Sequence, residues 1–224
     1  KRMRFWQLRY SILKNKLFLE NELQVIYNQA NRNDVSKKNK KVGKKMLKKA
    51  YKHFLTVTKH KYYVFRLSIK AGIPVRGFLH DFSKYSFTEF WESAKYYTDG
   101  KSSPITNCKR ERGYSKAWLH HKGRNKHHHE YWYDYETTDE VPVIPYKYTV
   151  EMICDQLAAG ITYNGKNWRK DTQLKYWRNV ENRRKINPRI ANMLDEVYVQ
   201  VSKQGIDKVI NKKNLKELYK KYCE

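Results

Sequence analysis

The segment from Val42 to Ala71 has the periodicity of an amphipathic helix. The residues near one stripe of that helix are Met46, Ala50, Phe54, Val57, Lys61 and Val64. Gly72 and Pro74 follow directly and predict its end. No segment alternates apolar and polar residues with the period of two that marks a half-buried strand. With only 9 Gly and 5 Pro in 224 residues, the sequence predicts an all-α protein.

The chain divides by composition into three parts. Residues 5–29 have helical periodicity, and residues 31–41 are polar and rich in lysine, which is typical of a linker. We therefore predict a basic helical extension and linker at 1–41, a helical domain at 42–185, and a helical tail at 186–224.

Start and stop signals predict the shorter segments. "SFTE" at 86–89 has the spacing of a capping box and predicts a helix through Tyr97. Gly160 predicts the end of a helix that begins at Tyr148. The further predictions are a short helix at 75–84, a loop at 98–113, helical structure bent or split by Gly123 over 114–135, and tail helices near 188–203 and 212–222.

The net charge of +26 is the strongest compositional feature. Residues 1–70 hold 20 Lys and Arg against 3 Asp and Glu, a balance of +17. A chain this basic favours a polyanionic partner such as nucleic acid, bound through the N-terminal region. Lysine-rich composition is also typical of genomes rich in A and T, and that reading stays open.

Cysteine usage and hydropathy indicate the compartment. The three cysteines are odd in number and widely separated, which argues against a disulfide framework and fits a reducing environment. No apolar run approaches the roughly 20 residues of a membrane span. We therefore expect a cytoplasmic protein that does not associate with membranes.

Histidines and aspartates recur along the chain in an order that suits a metal site. His60 lies in the long helix, His80 and Asp81 adjoin in "GFLHDFSKYSF" at 77–87, and Asp155 lies in a later apolar helix. Imidazoles with carboxylates suit first-row transition metals, and a carboxylate beside a histidine can bridge two ions, which makes Asp81 the natural bridge. Lys84 follows Asp81 by about one helical turn, so its ammonium can reach a phosphate beside the metals.

Between these residues lies a group of five histidines at 120–129. On a helix, His121 and His128 share a face with Asn125, while His120 and His127 share a neighbouring stripe. Either pair can supply two imidazoles, and the spacing does not choose between them.

These residues resemble the HD-domain superfamily of metal-dependent phosphohydrolases. Its pattern is a histidine, an "HDxxK" motif, further histidines and a final aspartate on successive helices, and "HDFSK" at 80–84 matches the motif. The segments "GFLHDFSKYSFTEF", "AWLHHKGRNKHHHEYW" and "EMICD" are more closely similar to an uncharacterised family of bacterial and phage proteins, members of which have sometimes been labelled catalase. The resemblance covers roughly residues 50–165 and implies an HD-like helical bundle with a one- or two-metal centre.

By position, the resemblance implies two ligand sets that share one aspartate. The first set is His60, His80, Asp81 and Asp155. The second set is Asp81, His121, His127 and His128. The implied cofactor is one or two divalent transition-metal ions such as iron, manganese or zinc, and the implied catalytic residues are Asp81 and Lys84. The compact spacing of the two histidine groups and the additional His129 depart from the family pattern.

The expected function is hydrolysis of a phosphate-containing substrate, most directly a nucleotide or nucleic-acid phosphodiester, since the positive charge favours a polyanion. The metals would lower the pKa of a bound water, and Lys84 would hold a phosphate oxygen. A phosphomonoester substrate, a di-iron oxygenase of HD type, and a non-enzymatic nucleic-acid-binding protein fit the same sequence. His53 is expected to be a core histidine, and Glu151 either orients a histidine ligand or is a plain helix charge.

Overall fold

The computed structural model describes residues 37–133, 141–180 and 185–224, together with Val25. All regular structure in these residues is helical, which confirms the predicted all-α class. The α-helices are α1 (Lys37–Lys70), α2 (Pro74–Leu79), α3 (Phe87–Lys95), α4 (Pro104–Arg112), α5 (Lys116–Lys122), α6 (Tyr146–Asn164), α7 (Thr172–Val180), α8 (Pro188–Gln204), α9 (Ile206–Val209) and α10 (Lys212–Cys223). Short 3-10 turns occupy Phe82–Tyr85, His129–Tyr131 and Gly165–Asn167. None of these helices is both long and apolar enough to cross a membrane.

The chain forms two compact units, Lys1–Tyr51 and Lys52–Glu224. In the first unit the described structure is the beginning of α1, in which Ala50 is buried. Residues 37–41, the last part of the predicted linker, are helical. The helices predicted at 5–29 lie outside the described residues, apart from Val25.

The core of the second unit is built from α6, α8 and α10 with one face of α1. Helix α8 buries residues at intervals of three and four, which are Ile190, Met193, Leu194, Val197, Tyr198 and Val201. Each buried side chain of this size contributes about 1.5–3 kcal/mol of transfer free energy. The buried residues of α6 lie between Thr149 and Ala158, so Glu151 lies inside the protein with its apolar neighbours and Asp155 is largely enclosed.

The buried face of α1 continues from this core toward a polar interior. His53, Val57, His60 and Val64 follow each other at helical intervals on that face, and all four are buried. The apolar stripe predicted for this helix therefore includes two histidines.

A sharp turn after α2 presents two adjacent residues to the same place. Asp81 has φ 53° and ψ 30°, the left-handed conformation, between α2 and the 3-10 turn at Phe82–Tyr85. The predicted continuous helix over 75–84 is therefore interrupted. Gly77 lets α2 approach α1 closely, since a Cβ at this position would overlap the Ser68 side chain. The Lys61 ammonium donates to the carbonyl oxygens of Phe78 and His80 and ties the turn to α1.

Helices α3 and α5 are joined through a carboxylate. Ser86 caps α3 by accepting from the Glu89 backbone N–H at 3.4 Å, as the capping box predicted. Glu92 Oε1 accepts from the Ser115 hydroxyl at 2.5 Å and from the Ala117 N–H at 2.9 Å at the start of α5. A carboxylate at a helix N-terminus is favourable, and this one holds α5 against α3.

Other segments differ from the sequence predictions. Helix α4 lies within the predicted loop at 98–113, and α7 was not predicted. Helix α6 continues through Gly160, which serves close packing: a Cβ there would lie 3.0 Å from Gln173 Oε1. The histidine segment is not one helix, because α5 ends at Lys122 and only the 3-10 turn at His129–Tyr131 follows.

Candidate metal centre

The first cluster joins α1, the turn after α2, and α6. His60 Nε2 lies 3.0 Å from Asp155 Oδ1. His80 Nε2 lies 3.3 Å from the same oxygen and 3.1 Å from Asp81 Oδ2. These four residues form a group whose ligand atoms all lie within 4.8 Å of one another and that could hold a metal ion.

The second cluster joins Asp81 to three histidines. His121 Nε2 and His127 Nε2 lie 3.3 Å and 3.5 Å from Asp81 Oδ1, and His128 Nε2 lies 2.9 Å from His121 Nε2. This group also meets the 4.8 Å limit and could hold a metal ion. Asp81 therefore directs Oδ2 to the first cluster and Oδ1 to the second, so its carboxylate would contribute to both clusters if each held an ion.

The distances within both clusters suit coordination of a common ion. Ligand atoms about 2.1 Å from an ion lie about 3.0 Å apart at neighbouring octahedral corners and about 3.4 Å apart at tetrahedral ones. The distances given above, 2.9–3.5 Å, are within about 0.1 Å of these two values or lie between them.

The converging atoms lack hydrogen-bond partners in the described structure. They are His60 Nε2, His80 Nε2, His127 Nε2 and both carboxylate oxygens of Asp81. Asp81 Oδ2 has the Lys84 ammonium as an ion-pair partner at 2.6 Å, and the other four buried atoms, directed at the same region, are energetically costly unless a cation is bound there. The donor set therefore fits a transition-metal centre.

Carboxylates on the far side of the imidazoles set their orientation. Glu151 Oε1 lies 3.1 Å from His80 Nδ1 and 3.4 Å from His127 Nδ1, one histidine of each cluster. Its Oε2 accepts from Arg76 Nε and pairs with Arg76 Nη2, both at 2.6 Å. A protonated Nδ1 that donates to a carboxylate leaves Nε2 free as the ligand atom. Of the two roles considered for Glu151, this geometry favours orientation of the histidines.

Glu89 has the same role in the second cluster, and the sequence did not reveal it. Its Oε2 lies 2.8 Å from His121 Nδ1, and its Oε1 lies 2.6 Å from His120 Nδ1. The side chain is buried. In the sequence, its position in the capping box already accounted for a glutamate here, so that position did not point to a role in a metal site. The adjacent histidines were the available signal, since two neighbouring imidazoles both need acceptors for their N–H groups.

Burial and charge set the protonation states that metal binding needs. Burial lowers the pKa of His60, and burial together with His127 and His121 lowers the pKa of His128 well below its usual value. Burial would raise the pKa of Asp81, but His80, Lys84 and His121 outweigh it and hold that pKa well below its ordinary value. Neutral imidazoles and ionised carboxylates are the forms that bind metals.

His80 is the exception in the metal-free protein. Burial opposes its protonation, but Asp81, Asp155 and Glu151 raise its pKa well above the ordinary value. The proton held among these carboxylates occupies the region in which a metal ion would bind, so metal binding would release it.

Lys84 lies beside the shared aspartate. Its ammonium is 2.6 Å from Asp81 Oδ2, and its side chain is 27% exposed. Burial disfavours the ammonium, but Asp81 and Asp155 outweigh burial and raise the pKa of Lys84. It is therefore a permanent cation at the edge of the centre.

The remaining histidines stay out of both clusters. His53 packs against the rings of Phe90 and Tyr97, as expected of a core histidine. His120 contacts Glu89, and His129 Nδ1 pairs with Glu130 at 3.2 Å. The structure thus brings together the seven residues that the resemblance implied, with His121 rather than His120 among them. His127 and His128 lie in a non-helical segment after α5.

Residues 49–200 match the model of a family described as a family of unknown function (DUF5662). The match covers more than half of the chain and includes both clusters, Lys84, Glu89 and Glu151. Searches among curated proteins and among solved structures find no match. The chain therefore belongs to the DUF5662 family.

Proposed function

We propose that this protein is an HD-type metal-dependent phosphohydrolase that cleaves a phosphodiester of a nucleotide or nucleic acid. One observation carries the proposal: two four-residue clusters share Asp81, and the converging nitrogens of His60, His80 and His127 form no hydrogen bond in the described structure. Iron, manganese and zinc are the metals that this mixture of imidazole and carboxylate suits.

Each group of residues has a role that follows from its position in the site. The seven candidate ligands hold the ions, and Glu151 and Glu89 fix the histidine rings. Bound ions of this kind supply activation of water and neutralisation of charge on phosphoryl oxygens. Lys84 binds a nonbridging oxygen of the substrate and exchanges its ion pair with Asp81 for that contact.

Lys84 also favours phosphate chemistry over the alternatives. A di-iron oxygenase would use the same ligands, but a permanent cation beside the shared carboxylate suits an anionic substrate. The net charge of +26 supports a polyanion as that substrate. Two clusters that share a carboxylate are more than the single structural ion of a non-enzymatic binding protein would need.

Metal content is the first test. Protein purified without chelator and analysed for elements should contain one to two equivalents of iron, manganese, zinc or a related metal. Asp81→Asn should remove both ions because Asp81 belongs to both clusters, whereas Asp155→Asn should remove one. His53→Ala is the matched control, since it removes a buried histidine outside the clusters. Absence of metal, even after reconstitution, would refute the proposal.

Activity is the second test. Metal-loaded protein is incubated with single-stranded DNA, RNA, cyclic nucleotides and nucleoside phosphates. At least one should be cleaved, with no cleavage by Asp81→Asn. Lys84→Met should retain metal and lose about 10²–10³-fold in kcat, the cost of removing one stabilising group. Lys59→Gln, an exposed charge on α1, should cleave like wild type.

Other results would identify the alternatives. Equal cleavage by wild type and Asp81→Asn would assign the activity to a contaminant and contradict the proposal. Oxygen consumption with an organic substrate, without phosphate release, would identify an oxygenase. Salt-sensitive binding with neither reaction would identify a binding protein.

A further inference from the structure

A cleft of about 210 Å³ lies beside the second cluster. It is bounded by α2, by the segment that follows α5, and by α6. The side chains that line it include Arg76, Arg124, Lys126, His127, Tyr148 and Glu151.

Positive charge dominates the cleft. Three of its lining residues are cationic and one is anionic, and that carboxylate, Glu151, is already paired with Arg76 at 2.6 Å. Arg124 and Lys126 are both exposed. Their charge is not balanced by any other carboxylate that lines the cleft in the described structure. The lining therefore suits an anionic group such as a phosphate.

One wall of the cleft is formed by the planar groups of Arg76 and Tyr148. The Arg76 guanidinium lies 4.2 Å from the centre of the Tyr148 ring, and Trp132, which is outside the lining, has its ring centre 5.7 Å from that of Tyr148. Aromatic rings and guanidinium planes are the surfaces on which proteins stack unpaired bases. Phosphate-binding charge next to such a wall is the combination that recognises a nucleotide unit.

The position of the cleft favours a nucleic-acid strand over a free nucleotide as its ligand. His127 lines the cleft, and its Nε2 lies 3.5 Å from Asp81 Oδ1, so an imidazole ring separates the cleft from the shared aspartate. With the reacting phosphate at the shared aspartate, as the proposed function requires, one imidazole ring would separate it from a phosphate in the cleft. Asn125, another lining residue, donates to Ser83 Oγ at 3.0 Å, one residue before Lys84. The volume is also below the roughly 300 Å³ of pockets that enclose a small molecule.

From these observations we infer that the cleft binds single-stranded nucleic acid, with one backbone phosphate at Arg124 and Lys126 and a base on the Arg76–Tyr148 wall. The inference rests on the proposed function in treating the strand as the substrate. Binding itself requires no cleavage and is measured separately.

The test is fluorescence anisotropy of labelled oligothymidylate with the full-length protein as purified, at several salt concentrations, with the probe checked for integrity afterwards. Arg124→Gln with Lys126→Gln should reduce the slope of log affinity against log salt by about 0.7, the value for one neutralised phosphate on a single strand. The matched control, Lys216→Gln with Lys220→Gln, removes two exposed charges from α10 and should leave most of the slope and affinity intact. Tyr148→Leu should weaken binding about 5- to 150-fold through lost stacking.

The outcomes are decisive for the cleft and separate from those for hydrolysis. Equal losses in the two double variants would show that charge acts diffusely and would overturn the inference. Thymidine monophosphate competing as well as the oligonucleotide, mole for mole, would replace the strand with a free nucleotide. A strand that binds through the cleft and is never cleaved would support the inference while contradicting the proposed function.

Discussion

Glu151 connects both clusters to the cleft, and its replacement by glutamine is the most informative perturbation of the structure. The side chain is 4% exposed, and its carboxylate contacts His80, His127 and Arg76. Glutamine preserves the size of the side chain and removes the charge. Both histidines then lose their anionic acceptor, and Arg76 loses its partner.

The magnitude follows from the pKa of Glu151. Burial would raise that pKa, but contacts with His127 and His80 outweigh it and lower the pKa from 4.5 to about 2. A carboxyl whose pKa is depressed on folding stabilises the folded state above its unfolded pKa, and this stabilisation is lost as the pH falls toward the folded pKa. A shift of this size corresponds to about 3 kcal/mol at neutral pH and about 2 kcal/mol at about pH 3.5.

The assay is urea unfolding of the metal-free, full-length protein. Glu151→Gln should be less stable than wild type by about 3 kcal/mol at neutral pH, and the difference should shrink as the pH falls below 4.5. Glu217→Gln, at an exposed position on α10, should change stability by less than about 0.5 kcal/mol. A Glu151→Gln variant as stable as this control, or a difference independent of pH, would refute the reasoning.

Three further predictions concern other parts of the structure. Glu89→Gln should weaken metal binding about 10- to 100-fold in a competition titration, because it removes the acceptor of His121 Nδ1, whereas His120→Ala should change affinity little. Leu157→Ala should lower the free energy of unfolding by about 2–5 kcal/mol in urea, since this side chain is fully buried in the core. All three cysteines are buried, and burial raises the pKa of Cys154 to about 12, so a thiol reagent should label native protein slowly and all three thiols after denaturation.

The fold could be predicted where periodicity is strong and was missed where it is weak. Helices α8 and α10 match the segments predicted from apolar spacing. Helix α4 buries only Pro104 and Cys108, which is too little to reveal a stripe. Its ends were nevertheless marked, by Pro104 at the start and by Gly113 with φ 80° at the end. Start and stop residues therefore marked a helix that the polar composition of the segment did not indicate.

The candidate site shows a similar division. The order of histidines and aspartates, read with the family resemblance, identified the residues that converge. The prediction that His127 and His128 share helical stripes with His120 and His121 was wrong, because α5 ends at Lys122, before the second histidine group. Glu89 depends on the packing of α3 against α5, a long-range contact with no periodic signature in the sequence.

The left-handed backbone of Asp81 limits how this position can change over evolutionary time. Aspartate, asparagine and glycine adopt such a conformation readily, whereas other residues there cost on the order of 1 kcal/mol or more. Glutamate, usually the closest replacement for aspartate, would keep the charge but strain the turn and move the carboxylate outward by one methylene. Among the common acids, aspartate is thus the one that suits both the backbone and the two clusters. Asparagine, which adopts the same conformation, would keep the turn but remove the carboxylate charge from both clusters.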